Sequence, residues 1–248
     1  MIWLYAVTDQ PQAEAPSVAG IEGARLATVR VDGLAAVVSP CSRDAVPATE
    51  ENLLRHEAVL EALMADRTVL PVRFGAVASD PDRVREALRE RRAWCEANLE
   101  RLRGRVELGL RVLWGEPEGA NPGEACAAPG SGRAYLLARA EEERQETACR
   151  EQARDLALRI HGSLEHLAAE SSYRLLVTPR MLLTGAYLIE RDRIDGFRRQ
   201  VSALGSAHPS LSLLCTGPWP PFSFVAPGPR EKAQEAIRDA RLRPGPTP

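Results

Sequence analysis

Thr68-Val-Leu-Pro-Val-Arg-Phe-Gly75 is the stretch whose reading decides the fold. It is short, apolar and β-prone, and a strongly periodic helix flanks it on each side. Upstream, Leu53, His56, Leu60 and Leu63 recur at steps of three, four and three on one helical face. Downstream, Val84, Leu88, Arg91, Cys95, Leu99 and Leu102 trace another long face that is mostly apolar. A strand covered by amphipathic helices belongs to a core. Pro71 removes a backbone donor, which calls for a sheet edge, a bulge or the strand's end. Gly75 then frees the backbone to turn.

Working outward, residues 2–7 are apolar on both parities, the pattern of a strand buried on both faces. Residues 10–23 hold two prolines, two glycines and small side chains, and form a loop. Residues 24–31 and 34–39 are β-prone runs joined by Asp32-Gly33, a pair suited to a type I′ turn. A polar connection from Pro40 to Pro47 leads to Thr49, a candidate N-cap. Asp80-Pro81 opens the next helix, with the acid as cap and proline at the first helical position. That helix is expected to run to Arg103 and stop at Gly104.

Residues 105–113 alternate, with Val106, Leu108, Leu110 and Val112 on one side. Residues 115–132, rich in glycine and proline, read as a flexible excursion. A long helix begins near Gly132; Cys149, Ala153, Leu156, Ile160, Leu164 and Leu167 keep its step. Its charged run at 139–155 reads as a solvated face laced with ion pairs; a coiled-coil partner surface is the alternative, weakened by Ala148, Cys149 and Ala153. Strands follow at about 172–177, 182–189 and 210–216, with a helix at 191–204 between the last two. The order from residue 105 is β-α-β-β-α-β, that of a ferredoxin-like domain: an antiparallel four-stranded sheet with both helices on one face. The amino-terminal half has the same ingredients in the order β-β-β-α-β-α. The fold class is therefore α+β with two domains. Residues 1–104 form a modified ferredoxin-like domain, 105–225 a second ferredoxin-like domain with a long first helix, and 226–248 a tail.

Composition bounds the function. With 32 basic and 34 acidic residues the chain has a net charge of −2, which leaves no electrostatic footprint for nucleic acid. Nowhere do 18 apolar residues run together, so no membrane span is expected. Five cysteines, without a Cys-x-x-Cys pair or a visible export signal, read as free thiols in a reducing compartment, and a cytoplasmic protein is expected.

No nucleophile elbow, phosphate loop, dinucleotide fingerprint or zinc-protease motif is present. His161 and His166 are five apart, the wrong interval to share a helical face. No catalytic, cofactor or metal residue is expected, and no enzyme. His56, between Leu53 and Leu60, reads as a buried imidazole satisfied by backbone or by a neighbour such as Arg73; a general base is the sharper alternative. Arg73 reads as a clamp on a carboxylate or on carbonyls at the sheet's edge.

Gly217-Pro-Trp-Pro-Pro-Phe-Ser-Phe224 cannot be helical, because its prolines remove donors and fix φ. It reads as a preorganised belt burying Trp219, Phe222 and Phe224 against the second domain. It also reads as a partner-binding ridge built from Trp219, Pro220, Pro221 and Phe222.

The run Asn52-Leu-Leu-Arg-His-Glu-Ala-Val-Leu60, the stretch 68–75 and Gly217-Pro-Trp-Pro-Pro-Phe-Ser-Phe-Val225 together resemble the GvpL/GvpF family of gas vesicle accessory proteins. Trp3-Leu-Tyr-Ala-Val7 and Asp32-Gly-Leu-Ala-Ala-Val-Val-Ser39 fit it as well, and the resemblance covers roughly residues 1–225. It makes His56, Pro71, Arg73, Phe74 and Gly75 a structural signature without a catalytic role. It implies a minor, non-enzymatic component of gas vesicle formation, located in the cytoplasm with the vesicles. The implied partners are the small hydrophobic shell protein, bound during nucleation or assembly, and other gas vesicle accessory proteins. A ferredoxin-like small-molecule-binding or regulatory protein is the second reading, and a hydrolase around His56 the third.

Overall fold

The structure, a computed structural model, describes residues 1–42, 46–114, 132–178 and 180–228. The excursion expected at 115–132 (all but its last residue), the tail beyond 228 and Cys126 lie outside the described residues. The chain divides into two compact units. One is Met1–Arg105 with the segment that starts at Pro220, and the other is Val106–Trp219. The second domain expected over 105–225 differs at its end, where Pro220 to Gly228 group with the first unit.

In the first unit, β1 (Ile2–Thr8) is central in a sheet that includes β2 (Ala27–Val31), β3 (Leu34–Pro40), β4 (Leu70–Pro71) and β5 (Val77–Ala78). The order is β2-β3-β1-β4, with β5 also on β1, and these pairings are antiparallel. Asp32 and Gly33 both have positive φ, +48° and +87°, so the hairpin turns as their chemistry dictates. Six consecutive residues of β3, Leu34 to Ser39, are buried, which requires cover on both faces. Helix α1 (Glu50–Met64) packs against β1, α2 (Pro81–Glu90) against β2 and β5, and α3 (Arg92–Leu102) against β4. Thr49 caps α1 by accepting from Asn52 N at 3.3 Å, and Asp80 caps α2 by accepting from Arg83 N at 2.9 Å.

One expected helix over 80–103 is two. The break falls at Arg91 (φ −107°, ψ 13°). A straight helix would set Arg91 on the apolar face between Leu88 and Cys95, and the kink leaves it exposed.

The second unit holds β6 (Arg105–Trp114, all but its first residue), α4 (Gly132–Glu165), β7 (Glu170–Leu175), β8 (Met181–Glu190), α5 (Ile194–Ala207) and β9 (Leu211–Trp219). Its sheet order is β7-β8-β6-β9, with β6–β9 and β7–β8 antiparallel. Ala157, Ile160 and Leu164 of α4 and Phe197 and Val201 of α5 enter one core with Leu108, Leu110, Val112 and Tyr187. Both helices therefore cover the same sheet face. The two sheets share one order: β1, β2, β3 and the β4/β5 segment stand where β6, β7, β8 and β9 stand. Residues 9–26, including a 3-10 turn at Ile21–Gly23, stand in the chain order where α4 stands in the other unit.

Candidate functional site

The signature residues meet around His56. Its ring is 4% exposed. Indole Nε1 of Trp3, which can only donate, bonds His56 Nδ1 at 3.1 Å. Nδ1 must therefore accept, and the proton sits on Nε2, which donates to the Val72 carbonyl at 3.0 Å. The imidazole stacks on Tyr5 (5.3 Å, 27°) and meets Phe74 edge-on (5.6 Å, 72°). Burial lowers its pKa, since the charged form loses solvation, so the neutral tautomer is the resident form. Tyr5 extends the network: its hydroxyl lies 2.8 Å from Ser39 Oγ and accepts from Ile21 N at 2.7 Å. Both nitrogens of His56 are thus committed to the fold, and the partner is the Val72 carbonyl instead of Arg73.

The 68–75 stretch is not one strand. Pro71 pairs with Ala6 and Val77 with Trp3, so six positions on one side face three on the other. Val72 N still reaches Tyr5 O (2.8 Å), and Leu4 N reaches Ala76 O (3.0 Å). The surplus loops out as Arg73-Phe74-Gly75, with Gly75 at φ +94°. Pro71 ends the first short strand at the sheet's edge, where its missing donor is harmless. Phe74 folds inward, 4.8 Å from the Trp3 ring, and Arg73 is left exposed. The expected clamp is corrected: among the described residues Arg73 has no ion pair or hydrogen bond. A bulge frees its side chain from the alternation of a regular strand.

A second aromatic–histidine cluster lies in the other unit. His161 is 4% exposed, its Nδ1 is 2.9 Å from the Tyr187 hydroxyl, and its ring is 4.0 Å from Tyr173. Burial lowers its pKa, and Glu165, 3.8 Å from Nε2, opposes that shift. Sequence spacing against His166 hid this residue. Its place between Ala157, Ile160 and Leu164 on the apolar face was the available signal.

The carboxy-terminal ridge does not present its four residues together. Trp219 ends β9, half-buried, with its indole N–H donating to Thr216 Oγ1 at 3.2 Å. Pro220, Pro221 and Phe224 are buried, and Phe222 stays 37% exposed on a 3-10 turn. Helix α3 pins residues 224–226. Arg101 donates to the Phe224 carbonyl, Asn98 Oδ1 accepts from Ala226 N (2.8 Å), and Trp94 Nε1 donates to Ala226 O (3.0 Å). The belt is therefore tied to the first unit, and the expected burial of Phe222 is not found. Among the described residues no group of three or more His, Cys, Asp or Glu is placed to hold a metal ion, and no helix is long and apolar enough to cross a membrane.

These features define an α+β protein of two sheets whose marked residues knit aromatic rings and backbone together, leaving Arg73 and Phe222 outward. The family of gas vesicle synthesis proteins GvpL/GvpF matches residues 1–226, and the chain belongs to it. It is 34% identical to gas vesicle protein L of Streptomyces sp. strain CB03234 over 196 residues, covering 74% of this chain and 73% of that one. Gas vesicle protein F of the same organism is 32% identical over 245 residues, covering 90% and 98%. The crystal structure of GvpF from Anabaena sp. PCC7120 superposes with a TM-score of 0.75 at 22% identity, over 92% of this chain and 96% of that one. The family-level role of this chain is gas vesicle assembly.

Proposed function

We propose that this chain binds the small hydrophobic shell protein of gas vesicles while the shell nucleates or grows, covering apolar surface that would otherwise aggregate. It acts in the cytoplasm, with other gas vesicle accessory proteins as further partners. The contact lies in the 219–222 segment and centres on Phe222. The observation that carries this reading is the contrast along the segment: Phe222 is exposed while Pro220, Pro221 and Phe224 are buried. Three side-chain bonds from α3 hold residues 224–226, so the ring is presented with little ordering entropy left to lose. Both units are read as variants of the ferredoxin-like arrangement, supported by their shared sheet order and by two helices on one face of the second sheet.

The test is Phe222→Ala in a pull-down of the shell protein, with thermal unfolding alongside. An exposed ring leaves the unfolding midpoint nearly unchanged, and binding is expected to fall tenfold or more, about 1.4 kcal/mol. Undiminished binding by the folded variant refutes the contact at Phe222 and moves the search to α4 around residues 139–155.

A further inference from the structure

Residues 9–26 join β1 to β2 without an α-helix. A cleft of about 630 Å³ remains between residues 14–19 and residues 23–30, within the size range of small-ligand and peptide sites. One wall is residues 23–28 with Arg30, which include part of β2, a strand that pairs with β3 on one side and ends the sheet. The opposite wall is the ribbon from Ala15 to Ala19. It is held at its ends: Arg67 donates to the Glu14 carbonyl at 3.1 Å, and Gly20 N bonds Ala24 O at 2.8 Å. Among the described residues, no backbone hydrogen bond joins the two walls, and none reaches the outward groups of β2. The slot is thus bounded by two ribbons of backbone that have donors and acceptors to offer.

Its charge is one-sided. Arg25 and Arg30 line it against Glu14 alone. Arg25 is exposed and has no ion pair or hydrogen bond among the described residues, while Arg30 uses its Nε on the Pro11 carbonyl. The register places Thr28 and Arg30 opposite Val37 and Ala35, on the sheet face that carries Ser39 and its Tyr5 contact. Small side chains such as Ala19 leave room for a chain to lie down.

We propose that this slot takes a short extended peptide segment bearing a carboxylate side chain, added as a strand to the outer edge of β2. Backbone hydrogen bonds to β2 supply the affinity, and the two guanidiniums select the acidic side chain. Five residues of β2 match a guest of about five residues, roughly 16 Å long. The site is separate from Phe222 and does not depend on it.

The experiment titrates the full chain with a fluorescein-labelled pentapeptide, Thr-Val-Glu-Val-Thr, blocked at both ends. Expected are saturable binding, at least tenfold weaker binding of the Lys-for-Glu peptide, and new amide-exchange protection at residues 27–31. Arg25→Glu should reverse the preference between the two peptides, and Ala19→Trp, which narrows the slot, should abolish binding of both. Phe222→Ala should bind like the parent. Absence of saturable binding, equal binding of a peptide N-methylated at alternate positions, or protection elsewhere would overturn the proposal. Protection of residues 27–31 that rises with protein concentration without peptide would assign the edge to a second copy and overturn it as well.

Discussion

Replacing His56 by Phe separates what the imidazole does as a ring from what its nitrogens do. Phe keeps the aromatic body against Tyr5 and Phe74 and removes both hydrogen bonds. Trp3 is fully buried, so its indole N–H is left unsatisfied, at a cost of about 1–3 kcal/mol. Val72 is half-buried and water restores part of its carbonyl's bonding, which adds at most about 1 kcal/mol. Extra apolar burial by the benzene ring offsets roughly 1 kcal/mol. The net expectation is a loss of about 0–3 kcal/mol at neutral pH, read from urea unfolding and from amide exchange in β1 and β3.

The same variant carries a pH signature. His56 has a folded pKa below its ordinary 6.5, so the unfolded chain takes up a proton first as the solution is acidified. Its contribution is complete above about pH 6.5 and is lost as pH falls from there toward the folded pKa. The slope is at most about 1.4 kcal/mol per pH unit. His161 follows the same direction, but in the other unit, so local exchange in β1 and β3 isolates His56. His56→Phe should flatten that slope below about pH 6.5. A variant as stable as the parent at neutral pH, with an unchanged slope, would refute the buried-network account.

Gly217 has φ +103°, and a Cβ there would lie 2.8 Å from the Glu107 carbonyl, so Gly217→Ala should cost more than about 1 kcal/mol in thermal or urea unfolding. Asn98→Ala removes the acceptor of the Ala226 amide and should raise exchange at that amide at least tenfold, with little change in β1. Cys149 is exposed, whereas Cys95 is buried and its thiol is pushed up to about 11. Thiol labelling of the native protein at pH 7.5 should therefore modify Cys149 fast and Cys95 only at the rate of unfolding.

Much of this fold is written in short-range sequence. The caps at Thr49 and Asp80, the Asp32-Gly33 turn, the helical faces and the alternation of β6 depend on residues within four positions of each other. Period and turn chemistry read such features directly. The apolar run of β1 likewise announced burial on both faces. Other features needed the tertiary structure. The split of 68–75 into two short pairings depends on where β1 offers its backbone groups, and the local apolar pattern of a bulge matches that of a strand. His56 was placed in the core by its neighbours on α1, but its partners, Trp3 and Val72, stand 53 and 16 positions away. The docking of residues 224–226 on α3 is likewise settled by distant side chains. Spacing along one helix hid His161, because its partner Tyr187 comes from β8. Local sequence fixes which backbone shapes are cheap; long-range hydrogen bonding and burial decide which distant groups satisfy one another, and that choice exists only once the chain has closed on itself.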